Sequence, residues 1–276
     1  LVLAGTADQS NELHGLGSCS AELADQLSAL LREGGIDNMG RFLGALEALL
    51  EGTLVSPDSV AVVPCPDPMP WDWRDEAGTA VGVVLYRAQF QAGDLGLADA
   101  LTAALRQEGL RPCLLWVSSW RNPAVQAGVH NLLQQQNAEL VIAGTSFASV
   151  KTEQAGLGSP LWDRLDRPVL QLLSSSRSRA QWLESSQGLN PIDLSLQVVM
   201  PELDARITTR PCGFRDHLQT NGPLATAIPC LQPDPSGLAW LAEHSRRWVE
   251  LRQTPCAKRR IAMVLANYPV RDGRVA

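Results

Sequence analysis

The stretch Thr79–Val117, TAVGVVLYRAQFQAGDLGLADALTAALRQEGLRPCLLWV, decides the fold. It opens with a valine-rich run, Ala80–Tyr86, in which apolar and polar residues do not alternate. A strand of that kind is covered on both faces, as in a parallel sheet. Leu97, Ala98, Leu101 and Leu105 follow at helical spacing, Gly109 ends that helix, and Pro112–Val117 is the next apolar run. Strand, amphipathic helix and strand together make a βαβ unit.

The pattern continues outward in both directions. Val125, Val129, Leu132 and Leu133 mark a second helix, Glu139–Ala143 a third strand, Leu161–Leu165 a short helical piece and Val169–Leu173 a fourth strand. Ser195–Met200 reads as one more strand, reached through a helical turn at Asn190-Pro191, and Ile207–Phe214 looks extended. The predicted fold class is α/β, with a doubly wound, mostly parallel sheet over residues 79–215.

Upstream, residues 1–55 predict a helical segment. Leu23, Leu27, Leu30 and Leu31 follow the N-cap candidates Ser18 and Ser20, and Gly34-Gly35 stops the helix. Met39, Phe42, Leu43, Leu46, Leu49 and Leu50 share one face of the next helix, with Gly52 past its end. Residues 56–78 carry five prolines and read as an extended connector, anchored by Trp71 and Trp73. Downstream, 216–259 predicts a loop and helix connector, the loop running to about residue 236 and the helix turning Leu238, Leu241, Trp248 and Leu251 inward. Arg260–Ala266 then predicts the first strand of a further α/β domain over 260–276. The chain has no Met at Leu1 and stops straight after that strand, so it reads as a piece of a longer one.

Composition excludes several classes. With 276 residues, 45% hydrophobic and 19% charged, the chain can build a core and is not disordered. A net charge of −6 and the lack of a basic run argue against binding nucleic acid. Ala80–Tyr86 and Cys113–Val117 fall far short of the ~20 apolar residues that span a bilayer, and no signal peptide is visible. The six cysteines make no CxxC pair, and Cys113 reads as a small buried hydrophobe. The chain is therefore predicted to be soluble and cytoplasmic, with reduced thiols. It holds no GxxxxGK[ST], no GxGxxG after Ala80–Tyr86, no HExxH and no GxSxG. The residue pattern by itself names no reaction.

One feature stands out. In an open parallel sheet, ligands bind outside the carboxyl ends of the strands. Those ends carry Tyr86-Arg87, Ser118-Ser119, Thr145-Ser146 and Ser174-Ser175-Ser176, followed by Glu202 and Asp204. The candidate substrate-binding or metal-supporting residues are therefore Tyr86, Arg87, Ser118, Ser119, Ser174, Ser175, Glu202 and Asp204, with no metal ligand assigned. Glu202 and Asp204, two apart in an extended chain, would point the same way and suit a divalent cation or proton transfer. The alternative is that these are polar loops and helix caps, with residues 200–204 a structural turn.

Several segments resemble the large subunits of the cobaltochelatase and magnesium-chelatase family. They are LREGGIDN (31–38), VGVVLYRAQFQAGDLGLADALTAALRQEGLRPCLLWVSS (81–119), VMPELDARI (199–207) and RWVELRQTPCAKRRIAMVLANYPVRDGRVA (247–276). The last is the most specific, and its Asn267-Tyr268-Pro269 to Asp272-Gly273-Arg274 form is closer to the aerobic cobaltochelatase branch. The resemblance implies a porphyrinoid-binding subunit of an ATP-dependent chelatase that inserts Co2+ into hydrogenobyrinic acid a,c-diamide in cobalamin biosynthesis. It also implies an AAA+ motor subunit and a second partner that hydrolyse ATP with Mg2+, and catalytic residues beyond Ala276. The alternatives are a magnesium-protoporphyrin IX chelatase subunit and a non-enzymatic small-molecule-binding α/β module. The chain departs from the family in carrying Ala205 where its "PELDG" pattern has glycine.

Overall fold

The computed structural model describes residues 16–148, 160–219 and 226–264. The described residues open with two helices, α1 (Ala21–Glu33) and α2 (Ile36–Leu50). Ser20 caps α1 by accepting the Leu23 N–H. Gly34, at φ 67°, turns the chain between them, and a Cβ there would lie 2.8 Å from Gln91 Cβ. Leu27, Leu30, Ala45 and Val60 form a small core of their own, with Phe42 and Leu49 packed against it. The single apolar face expected for α2 proves to be two. Met39, Leu43 and Leu50 are exposed beside Ile36, on the side away from α1.

The proline-rich connector is extended, as its composition predicts, and contributes an edge strand, β1 (Met69–Trp71). Pro70 fits there because an edge position need not donate to the ladder. Trp71 packs on one core layer and Trp73 on the other, its indole N–H donating to Leu114 O at 2.9 Å.

Five parallel strands make the centre: β2 (Thr79–Tyr86), β3 (Leu110–Val117), β4 (Leu140–Ala143), β5 (Val169–Ser175) and β6 (Ile207–Gln219). With β1 and β7 (Ala227–Pro233) antiparallel at the edges, the sheet has seven strands in the order β1-β3-β2-β4-β5-β6-β7. The short α3 (Arg87–Gln91) follows β2. Then α4 (Gly96–Gln107) buries Leu97, Ala98, Leu101 and Leu105, the four residues its spacing predicts. It lies on one face of the sheet with α10 (Pro235–Gln253), over Val81, Val83 and Leu85. α5 (Pro123–Gln135) and α6 (Pro160–Leu165) cover the other face, over Ala80 and Val84. Successive β2 side chains thus feed opposite layers, and the sheet is wound on both sides. All six cysteines are free, and Cys113 is buried as expected.

Several sequence expectations are corrected. Ser195–Met200 is not a strand. The helical turn expected at Asn190-Pro191 is present, Asn190 accepting from Asp193 N–H at 2.8 Å, but the chain stays helical through α8 (Pro191–Leu194), a π-helical turn (Ser195–Val199) and α9 (Met200–Glu202). A short apolar run does not by itself distinguish strand from helix. The expected loop over 216–236 is largely the β6–β7 hairpin, whose Pro229 and Pro233 sit on an edge strand. Leu251, expected inward on α10, is 47% exposed, and Val249 is buried in its stead. Between α7 (Arg179–Glu184) and α8 the chain forms a turn. Arg260–Val264 shows no regular secondary structure, and the rest of that expected strand lies outside the described residues.

Candidate binding cleft

Strand order places the site. The chain moves from β2 outward to β3, then crosses back to β4 on the other side of β2. The loops leaving β2 and β4 therefore diverge, and a crevice opens between them at their carboxyl ends. Gly144, just past β4, lets the backbone through. A Cβ there would lie 2.4 Å from Leu85 Cδ2 and 3.0 Å from Leu172 Cδ2.

At that point the structure has a cavity of about 280 Å3 lined by Tyr86, Ser118, Ser119, Trp120, Arg121, Ser146, Phe147 and Ala148. The Tyr86 hydroxyl donates to Ser146 O at 2.8 Å and ties β2 to the β4 loop. Burial raises the phenol pKa, while Arg206 and Arg121 pull it down. Trp120 is buried, its indole N–H donating to Thr145 Oγ1. Phe147 is 44% exposed, and the Arg121 guanidinium lies 5.9 Å over its ring. Ser119 Oγ accepts the Arg121 backbone N–H at 3.1 Å, and the Ser118 hydroxyl donates to Asp67.

Behind the cleft lies a residue that sequence reasoning missed. Arg206 is 2% exposed and forms an ion pair of 2.8 Å with the equally buried Asp204. Its two terminal nitrogens also reach Thr145 O at 2.9 Å, Gln171 Oε1 at 3.1 Å and Phe147 O at 3.0 Å, while Nε is buried without a partner among the described residues. Trp120 and Trp162 flank the guanidinium at 5.9 and 5.6 Å. Phe147 has φ 63°, unusual for a non-glycine residue. Both its backbone groups are clamped, the carbonyl by Arg206 and the N–H by Leu196 O at 3.2 Å. Leu196 O is available because Met200 N–H bonds to Ser195 O and Pro201 has no N–H to give. A left-handed residue fixed from both sides at a cleft is the kind of strain that functional sites hold.

The predicted site residues divide into two sets. Tyr86, Ser118 and Ser119 meet in the cleft. Arg87 turns away and donates to Cys65 O at 2.7 Å, bracing the connector. Ser174 N–H and Oγ both bond Gln197 Oε1, and the buried Ser175 hydroxyl accepts from Arg177 N–H at 3.1 Å. Glu202 and Asp204 are not a pair in extended chain. Glu202 ends α9, is exposed and accepts from Thr208 at 3.2 Å, while Asp204 turns inward to Arg206. The exposed Ala205 between them has φ 56°, the conformation for which glycine is suited. Among the described residues no three His, Cys, Asp or Glu side chains gather as a metal site would need. Of the missed cleft residues, Arg121 had a visible signal, being the first cation after Ser118-Ser119. Phe147 had none, because its backbone conformation is imposed by contacts distant in sequence.

Chemically, the cleft offers one guanidinium, serine hydroxyls and aromatic surface, with no carboxylate or imidazole among the described residues that line it. It can bind and orient an anionic, partly apolar group. No helix among the described residues is long and apolar enough to cross a membrane.

Comparison with known proteins agrees with this architecture. Residues 28–276 match the profile of the CobN/Magnesium Chelatase family. The chain is 34% identical over 275 residues to the aerobic cobaltochelatase subunit CobN of Pseudomonas aeruginosa, covering 96% of this chain and 22% of that protein. It is 30% identical to subunit CobN of a Sinorhizobium species, over 99% of this chain and 23% of the relative. A magnesium-chelatase subunit of Cereibacter sphaeroides is 24% identical, over 72% of this chain and 18% of its own length. The structure resembles the catalytic subunit of cobaltochelatase from Mycobacterium tuberculosis with a TM-score of 0.77 and 26% identity, covering 94% of this chain and 22% of that one. The chain thus spans little more than a fifth of the length of these cobaltochelatase relatives. With its helical pair, its mostly parallel sheet and a family match over nearly its whole length, this chain belongs to the CobN/magnesium chelatase family.

Proposed function

We propose that this chain is part of the porphyrinoid-binding large subunit of an ATP-dependent cobaltochelatase, which inserts Co2+ into hydrogenobyrinic acid a,c-diamide in cobalamin biosynthesis. The observation that carries this reading is the gradient among relatives. Proteins named for cobalt are 34% and 30% identical over almost the whole chain, against 24% over 72% of it for the magnesium-chelatase relative. In this reading Co2+ is a substrate ion, and ATP with Mg2+ is consumed on an AAA+ motor subunit and its second partner in the cytoplasm.

Insertion of a metal requires a bent macrocycle, removal of two pyrrole N–H protons and stripping of water from the ion. The described lining of the cleft offers no base for the second task, having neither carboxylate nor imidazole. Its part in the reaction is binding and orientation, with Tyr86, Ser118 and Ser119 facing substrate. Arg87, Ser174, Ser175, Glu202 and Asp204 act as structure. Proton removal and ion capture fall to other parts of the subunit. Titrating the full-length subunit with the corrin precursor and with protoporphyrin tests the assignment. A saturable absorbance shift with the corrin precursor alone is expected. Preference for protoporphyrin would move the chain to the magnesium branch, and no shift with either would overturn the reading.

A further inference from the structure

The cleft is too small for a macrocycle. Its volume of about 280 Å3 is below the ~300–1,000 Å3 of pockets that enclose a drug-sized ligand, and it is open to solvent on one side. It suits a side arm. Among the described residues lining it, Arg121 carries the only formal charge. Elsewhere, arginines such as Arg74, Arg106, Arg179 and Arg206 pair with carboxylates, and others such as Arg111 and Arg177 bond amide oxygens. The Arg121 guanidinium has no carboxylate partner among the described residues and rests near the Phe147 ring. A guanidinium placed over a ring keeps its N–H fork free for a planar, two-oxygen acceptor. Ser119 Oγ already accepts from Arg121 N–H, so its own proton is free to be donated to the same acceptor.

We infer that the cleft is a carboxylate subsite: Arg121, with the Ser119 hydroxyl, grips one peripheral carboxylate of the tetrapyrrole, and the exposed face of Phe147 lies against the adjoining apolar edge. This rests on the function proposed above and adds which part of the substrate this chain reads. The site distinguishes a free carboxylate from its amide or ester, because a neutral group cannot accept the charge-assisted pair. Phe147 is held in its left-handed conformation by Arg206 and Leu196, which fixes the wall against which Arg121 stacks.

The experiment is a titration of the full-length subunit with hydrogenobyrinic acid a,c-diamide and with its fully esterified form, read by absorbance. Arg121 is exposed and donates no side-chain hydrogen bond to a described residue, so its replacement leaves the fold intact. That is checked by an unchanged thermal transition. Arg121→Gln is expected to weaken binding of the acid form about tenfold and to leave the ester form unaffected, removing the wild-type preference for the acid. Arg121→Lys, which keeps the charge without the fork, should retain part of that preference. Equal binding of the acid form by wild type and Arg121→Gln overturns the inference while the proposed function stands. Equal weakening of both ligand forms also overturns it. If wild type binds neither form, the proposed function itself fails.

Discussion

The carboxyl ends of β4 and β5 look alike in sequence, each breaking from an apolar run into hydroxyl residues, yet they meet opposite fates. Past β4, Thr145 is buried under Arg206, and the following Ser146 and Phe147 line an open cleft. At the end of β5, Ser174 is closed off by Gln197, and just beyond it Ser176 N–H and Oγ both donate to the buried Asp193 at 2.8 and 2.9 Å. The difference is one of winding. β4 stands beside β2, from which the chain winds outward in the opposite direction, and β5 is followed by a helical run that folds back over its end. A polar strand end marks a binding site only where the topology leaves it uncovered.

The largest way to break this contrast is Arg206→Met. It takes away the cation facing buried Asp204 and the donors to Thr145 and Phe147, and should cost about 3–5 kcal/mol by chemical denaturation. A loss under about 1 kcal/mol would show that the cleft does not depend on this cluster. Asp193→Ala attacks the sealed end instead. Losing its bonds to Ser176 and Asn190 should cost about 2 kcal/mol while ligand affinity at the cleft stays as in wild type. A parallel loss of affinity would mean that the two ends are coupled.

Tyr86→Phe removes the hydroxyl bond to Ser146 O and should cost about 1 kcal/mol. Because burial raises the Tyr86 pKa, the bond's contribution is complete below about pH 10 and fades as pH rises through the higher folded value. The variant should lack that alkaline decline when melted across a pH series. The smallest effect is a gain. Ala205→Gly relieves a left-handed alanine and should add about 0.5–1 kcal/mol. A loss of stability would show that the turn before Arg206 prefers a side chain.

Much of the fold was legible because its signals are local. The α4 face, the valine-rich β2 and the glycine stop after α1 each follow from spacing within a dozen residues. The hairpin of β6 and β7 was not legible, because prolines normally argue against strands and only the edge position excuses them. The same holds for the site. Tyr86, Ser118 and Ser119 follow from a rule about strand ends, whereas Glu202 and Asp204 are misplaced by treating their backbone as extended. Arg206 was invisible as a site residue: its ion-pair partner Asp204 is close in sequence, but Thr145 and Gln171, which place it behind the cleft, lie 61 and 35 residues away.

The π-helical turn at Ser195–Val199 makes the length of that segment matter. Such a turn is an α-helix carrying one extra residue. Deleting a single residue there would restore regular hydrogen bonding, swing everything beyond it by about 100° and withdraw the Leu196 carbonyl from Phe147. The shortened helix would be the more regular one and would leave Phe147 with only the Arg206 clamp on its backbone.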